Sequence, residues 1–191
     1  MEQALQQPDS GTRAFALELL AEFTDGDAIV PLLRSGLHDS DPEARLAALR
    51  GAVGLPPQAL IPFIGEVFAN SDASVRQSGL ELAAELHPAD YLNLLATGAA
   101  SAYADLATQS LDEASLVVDK SSVSRFFPAL DSADPEVKES AREFFDFRFE
   151  TTFGNSAEAD AWWQKNADRY NEDLAEVVPI PDAINLPSGG K

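Results

Sequence analysis

The stretch HDSDPEARLAAL, residues 38–49, reads as a polar turn followed by the start of a helix. Asp41 precedes Pro42, and proline is well tolerated in the first turn of a helix because the N–H that it lacks would have no partner there. The carboxylate of Asp41 can accept hydrogen bonds from the free N–H groups of that same turn. The stretch therefore predicts a helix that begins directly after Asp41.

The same pattern returns along the chain at a nearly constant interval. An Asp followed four residues later by Arg or Lys occurs at Asp9, Asp41, Asp72 and Asp134, which are 32, 31 and 62 residues apart. The last interval is twice 31, so a further copy is expected at Tyr103, where the charged pair is missing. We call these five positions the anchors. Each anchor predicts the start of one helix.

Two columns of residues support the repeat. The seventh residue after each anchor is small, as required where a neighbouring helix crosses closely: Ala16, Ala48, Gly79, Ser110 and Ala141. The eighth residue is leucine after four of the anchors: Leu17, Leu49, Leu80 and Leu111. The repeat is therefore expected to bury the same face of each helix.

A second helical pattern precedes each of the later anchors. It covers residues 27–37, 56–68, 88–98 and 121–130, and its large apolar residues lie three or four positions apart. Two helices joined by short polar turns at a period near 31 are typical of an α-solenoid. The sequence predicts an all-α fold with about four to five helical-hairpin repeats, stacked because one hairpin cannot bury its own apolar faces.

The segment LHDSDPEARLAALRGAVGL, residues 37–55, resembles the HEAT repeat, including the bacterial HEAT-like variety related to phycobilin lyase subunits. The likeness lies in Asp39, Arg45, the Asp-Pro turn and the small residues of the second helix, and it extends from residue 9 to about residue 149. The resemblance implies a right-handed α-α superhelix. It also implies a ladder of side-chain pairs, which would join Asp39 to Arg45 and, more weakly, Asn70 to Arg76.

The period ends near residue 150, and three regions are expected. Residues 1–150 form the solenoid, residues 151–176 a capping helix with Trp162 and Trp163, and residues 177–191 an extended or mobile tail. The Phe-Gly and Trp-Trp pattern is similar to the segment that closes many bacterial HEAT-like proteins. A closing segment is needed because the last repeat of a solenoid would otherwise expose an apolar face. One of the two tryptophans should enter the core.

Composition limits the classes of function. The 191 residues carry a formal charge of −19 and contain no cysteine, which excludes disulfides and thiolate chemistry. Such acidity argues against nucleic acid as a partner, since phosphate binding depends on clustered Lys and Arg. No apolar run approaches the length of a membrane span. The polar start MEQALQQPDS fits a cytoplasmic protein, and it equally fits a periplasmic one whose signal or lipoprotein anchor lay upstream of Met1.

The sequence contains no pattern that indicates catalysis, a metal site or a cofactor site. His38 and His87 belong to no helical metal-binding pattern and are interpreted as turn residues with a backbone partner. Phosphate loops, nucleophile elbows and EF-hand loops do not occur. We therefore expect a protein that is not an enzyme and binds neither metal nor cofactor.

The ninth residue after each anchor is usually acidic, and this column lies off the apolar stripe: Glu18, Arg50, Glu81, Asp112 and Glu143. Glu22, Gln77, Glu85 and Glu139 complete the predicted partner-binding residues, with Asp146 beside them. In a HEAT-like stack the second helices line the concave wall, so a monomer would present an acidic wall to a basic protein or peptide.

Three alternatives to this acidic wall remain open. The column can be an ordinary solvated face, on which glutamate serves helix propensity and solubility. The repeat type also suggests a small-molecule or cofactor-handling protein, such as a bilin lyase or chaperone-type subunit, although only fold analogy supports it. A third alternative is a structural component of an envelope-associated assembly.

Overall fold

The computed structural model describes residues 2–23 and 25–177, with Glu2 and Asp27 described by their backbone alone. The helices α1 to α10 span Glu2–Leu5, Ser10–Glu18, Gly26–Leu37, Pro42–Gly51, Pro57–Phe68, Ala73–Ala83, Pro88–Ala99, Ala104–Val117, Pro135–Phe149 and Ser156–Asn166. Three 3₁₀ helices cover Leu19–Glu22, Val123–Asp131 and Ala167–Arg169. The predicted tail lies outside the described residues from residue 178 onward. In the described part of the chain, no helix is both long and apolar enough to span a bilayer.

The helices form a stack of hairpins, as the repeat predicted. The hairpins are α3 with α4, α5 with α6, α7 with α8, and the 3₁₀ helix Val123–Asp131 with α9; α2 stands before them as an additional second helix. Second helices contact second helices along the stack, and first helices contact first helices. The small residues of the seventh column and the leucines of the eighth are all buried. The all-α solenoid is therefore confirmed.

Each second helix begins where its anchor predicts. The side chains of Asp9, Asp41, Asp72 and Asp134 accept hydrogen bonds from backbone N–H groups in the first turns of α2, α4, α6 and α9. Tyr103 occupies the same position before α8 without a side-chain cap. The copy of the repeat expected at Tyr103 is therefore present, and its helix starts without the carboxylate that caps the others.

One predicted first helix differs in the structure. Residues 121–130 were expected to form an α-helix, but the chain forms a 3₁₀ helix over Val123–Asp131. Pro128 lies inside it and has no N–H to donate, but Pro31 and Pro62 lie inside α3 and α5, which are α-helical, so the proline alone does not explain the difference. Phe126, Phe127 and Leu130 are nevertheless buried, so the segment still supplies the apolar face that the repeat requires.

A ladder of ion pairs joins successive second helices. The fourth residue after an anchor is arginine in α2, α4 and α6, and each arginine binds a carboxylate of the following unit. The pairs are Arg13–Asp39, Arg45–Asp72 and Arg76–Asp105. Their shortest nitrogen–oxygen distances lie between 2.5 and 2.7 Å. Each ion pair of the ladder therefore connects one unit to the next.

The ladder differs from the pairing that the resemblance implied. The carboxylate of Asp39 accepts from Arg13 at 2.7 and 2.8 Å, while Arg45 reaches only the backbone carbonyl of Asp39, at 2.9 Å. In the same way Arg76 donates to the carbonyl of Asn70, at 2.7 Å, and directs its remaining donors to a carboxylate of the next unit. The expected side-chain pairs within one turn are wrong. The carboxylate that each arginine binds is brought to it by the stacking of neighbouring units and does not come from the arginine's own turn.

These pairs change the acidity of their carboxyl groups. Hydrogen bonds from Arg45, and then from Ser74, lower the pKa of Asp72 to about 2. Hydrogen bonds from Arg13 likewise hold the pKa of Asp39 below its ordinary value. Both carboxyl groups are therefore negatively charged at neutral pH, and each compensates the positive charge of the arginine that binds it.

Aromatic side chains close the C-terminal end of the stack. The ring of Phe149 lies 5.1 and 5.4 Å from Trp162 and Trp163 of α10, and 5.2 Å from Tyr170. Trp163 is buried and Trp162 is half-buried, as expected for neighbours on one helix. The Nζ atom of Lys120, in the turn after α8, donates to the carbonyl of Tyr170 at 2.8 Å. This bond holds residues 151–176, which we call the closing segment, against the end of α8.

Candidate functional site

The candidate site is the outward surface of α2, α4, α6, α8 and α9, which we call the second-helix face. The ninth column, Glu18, Arg50, Glu81, Asp112 and Glu143, is exposed on all five helices. The remaining predicted residues, Glu22, Gln77, Glu85 and Glu139, are exposed as well, and so is Asp146. These positions are exposed because the seventh and eighth columns turn the opposite side of each helix into the core.

The negative charge of this face is unevenly distributed. Arg50 donates to Glu18 at 2.6 Å and to Glu43 at 2.5 Å, so one positive charge partly offsets two negative charges in the part formed by α2 and α4. Within the described part of the chain, no salt bridge reaches Glu81, Asp112 or Glu143. The ninth-column carboxylates without an ion-pair partner among the described residues therefore lie on α6, α8 and α9.

A shallow groove on the second-helix face brings three of the predicted residues together. It has a volume of about 380 Å³, and it is lined by Arg50 of α4, by Glu81 of α6 and by Glu85 just after α6. Its apolar lining includes Val53, whose surface is 66% exposed. The groove has the properties of a contact surface for a polypeptide, because two carboxylates and one guanidinium border an accessible apolar base.

An apolar patch at the C-terminal end of the face was not predicted from the sequence. Leu116 of α8 and Phe147 of α9 are 80% and 85% exposed. Both are the thirteenth residue after their anchors, Tyr103 and Asp134, so a count along the repeat would have found them. They were not predicted because the interpretation of the surface rested on its acidic residues, which include Glu22 and Glu85 of the same thirteenth column.

The histidines have structural positions. His87 caps α7, and its Nδ1 atom accepts from the N–H of Ala89 at 3.4 Å, as the interpretation from the sequence required. His38 follows the last residue of α3, and its backbone N–H donates to that helix. Among the described residues, no group of His, Asp and Glu has a geometry suited to a metal ion.

Comparisons with known proteins bear on the fold. Residues 1–85 match the family model for HEAT repeats. A solved structure titled "Crystal structure of Cex1p" aligns with 84% of this chain at 19% sequence identity and a TM-score of 0.50, which shows likeness of fold alone. The alignment covers 36% of that chain, so the present chain spans about a third of its length. A search of curated proteins gave no match.

The matched repeats extend over α1 to α6. Beyond them α7, α8 and α9 continue the same period of about 31 residues, with the same buried columns and the same order of first and second helices. The family match shows HEAT repeats over residues 1–85, and the stacked hairpins continue the same all-α solenoid fold through α9.

Proposed function

We propose that the chain is a non-enzymatic interaction module that binds a basic protein or peptide on its second-helix face. HEAT repeats generally serve as protein-interaction scaffolds, and their solenoid fold is typically not enzymatic. The observation that carries the proposal is the exposed acid in the ninth column of three successive second helices, at Glu81, Asp112 and Glu143. These carboxylates recur on separate helices without a salt bridge in the described residues.

The physical basis is electrostatic complementarity. Stacked helices lie about 8 to 10 Å apart, so acids at one repeat position form a row that matches charges spaced along an extended or helical ligand. A row of one sign attracts an oppositely charged partner, speeds its association and determines its orientation. A concave wall would add contact area to this attraction. The partner should therefore carry Lys and Arg at intervals.

The test compares two sets of charge reversals that change the net charge equally. Glu81→Lys with Asp112→Lys alters the proposed site, and Asp160→Lys with Asp168→Lys alters exposed acids of the closing segment. A basic partner is first captured from the native host and identified by mass spectrometry. Its dissociation constant is then measured by isothermal titration calorimetry, with far-ultraviolet circular dichroism as a control for folding.

The site reversals should weaken binding at least tenfold, whereas the control reversals should change it less than threefold. Binding should also weaken as the salt concentration rises, because exposed charges are screened. Equal effects of the two sets would show that only net charge matters. Undiminished binding after the site reversals would reduce the acidic column to an ordinary solvated face.

A further inference from the structure

The apolar patch formed by Leu116 and Phe147 occupies one repeat position on two neighbouring helices. In the earlier units the same thirteenth position holds Glu22, Gly54 and Glu85. Isolated exposed apolar residues are common on protein surfaces and require no explanation. Here, however, two large ones lie side by side on packed helices and border a single cavity, so together they form a contact surface.

The cavity between them has a volume of about 440 Å³. Leu116, Val117 and Phe147 line one part of it and Leu174 of the closing segment another, and its lining also includes the charged residues Asp119, Arg148 and Asp173. Arg148 donates to the carbonyl of Ser115 at 2.5 Å and thereby joins α9 to the last turn of α8. The cavity therefore has a preformed lining and is large enough for one bulky side chain of a partner.

Acidic residues lie one helical turn away from both members of the patch. Asp112 precedes Leu116 by four residues in α8, and Glu143 precedes Phe147 by four residues in α9. Residues four apart on a helix share one face at a separation of about 6 Å. The apolar pair Leu116 and Phe147 therefore lies beside the acidic pair Asp112 and Glu143 on the second-helix face. Among the described residues, neither Asp112 nor Glu143 forms a salt bridge.

We propose that this surface binds a basic amphipathic helix of a partner protein. The helix places a large apolar side chain in the cavity beside Leu116 and Phe147, and its Lys or Arg residues, one turn away, contact Asp112 and Glu143. The inference rests on the proposed function and adds to it an apolar anchor and a shape for the ligand. An amphipathic helix fits because its own residues repeat every turn, as the apolar and acidic pairs do.

Charge argues against the other occupants of the patch. A second copy of the chain would bring its own carboxylates close to Asp112, Glu143 and Asp146, at a cost in electrostatic free energy. Residues 178–191 of the same chain contain one lysine, Lys191, and one aspartate, Asp182, and so supply almost no positive charge. A basic partner has the sign that this surface requires.

The experiment selects helical peptides from a displayed library on the whole protein. Peptides enriched on the wild type should have Leu or Phe at positions i and i+3 or i+4, with Lys or Arg one turn away. Their affinity, measured by fluorescence anisotropy, should fall at least tenfold with Leu116→Ser and Phe147→Ser combined. The matched control is Phe15→Ser with Phe23→Ser at the other end of the stack, where the side chains are 63% and 51% exposed; it should leave affinity unchanged.

Charge is tested separately with Asp112→Asn and Glu143→Gln, which should weaken the selected peptides about fivefold and reduce the salt dependence of binding. Enriched peptides that are basic, lack the apolar pattern and bind the Leu116→Ser, Phe147→Ser variant normally would overturn this inference and leave the proposed function intact. A library that yields no basic peptide would contradict both. A wild type that sediments as a dimer, and becomes monomeric with the same two substitutions, would assign the patch to a second copy and overturn the inference.

Discussion

Arg76 of α6 donates to both carboxylate oxygens of Asp105 in α8, at 2.7 Å each, while its guanidinium lies 3.9 Å above the ring of Tyr103. Arg76 is buried, and Asp105 is exposed to solvent on one side. The pair connects two units at the point where the repeat loses its capping aspartate. The ring of Tyr103 covers the guanidinium of Arg76. The copy of the repeat that begins at Tyr103 therefore still contributes to the ladder, although it has no capping aspartate.

Removal of this arginine should destabilise the protein. Arg76→Met keeps the apolar stem but loses the bonds to Asp105 and to the carbonyl of Asn70, so the free energy of unfolding should fall by about 2 kcal/mol. Arg34→Met is the matched control, since Arg34 pairs with Glu66 on the open surface, where such pairs contribute at most about 1 kcal/mol. Urea unfolding at neutral pH measures both. Equal losses of unfolding free energy in the two variants would contradict a special role for the buried pair of Arg76 and Asp105.

The carboxyl of Asp72 should make stability depend on pH in the acid range. Its pKa is about 2 in the folded protein and about 3.9 in an unfolded chain. A carboxyl whose pKa is lowered by folding stabilises the folded state above the unfolded value, and this contribution is lost as the pH falls from about 4 to about 2. Asp72→Asn should therefore be less stable than wild type at pH 6, with a difference that shrinks towards pH 2. A difference that stays constant across this range, in urea unfolding, would contradict the assignment.

Two glycines should respond to alanine in opposite directions. A Cβ atom at Gly51, where α4 ends, would lie 2.2 Å from the backbone oxygen of Leu17, which cannot move independently of α2. Gly51→Ala should therefore lower the free energy of unfolding by about 2 kcal/mol. A Cβ at Gly65, inside α5, meets nothing within 4 Å, so Gly65→Ala should stabilise by about 0.5 to 1 kcal/mol through helix propensity. Thermal and urea unfolding of both variants test the close crossing of α2 and α4.

Two phenylalanines in α9 should differ sharply in their effect on stability. Phe149 is buried against Trp162, Trp163 and Tyr170, so Phe149→Ala should cost about 3 to 5 kcal/mol and change the tryptophan fluorescence. Phe147 is exposed, and Phe147→Ala should change the free energy of unfolding by less than about 0.5 kcal/mol. Comparable losses would show that Phe147 has a structural role and would remove it from the proposed patch.

The architecture was predictable because its causes are local and repeated. An aspartate that caps a helix accepts bonds from its own first turn, so Asp41 or Asp134 marks a helix start without knowledge of the rest of the fold. The buried columns follow from helical periodicity for the same reason. Residues 121–130 were predicted less well, because apolar residues three or four positions apart fit both an α-helix and a 3₁₀ helix.

The side-chain pairs were less predictable, because they depend on how units stack. Arg45 has Asp39 six residues before it and Asp72 twenty-seven residues after it, and spacing alone favours the nearer one. The contact with Asp72 arises only when the next hairpin is placed. The exposed pair Leu116 and Phe147 was detectable in principle, but exposure is a property of the stack and cannot be read from either helix alone.

The ladder of arginines ends at Asp105, since Ala107 occupies the next arginine position, and beyond it phenylalanine and tryptophan rings join the units. One half of the molecule is thus held partly by ionic contacts and the other by ring packing, and these respond to different solvents. Concentrated salt should loosen the half-exposed pair Arg45–Asp72 more than the buried end at Arg76, because buried pairs are screened less, whereas cooling weakens the apolar packing of both halves. A rise in salt concentration, without any mutation, should therefore loosen the N-terminal half of the molecule first.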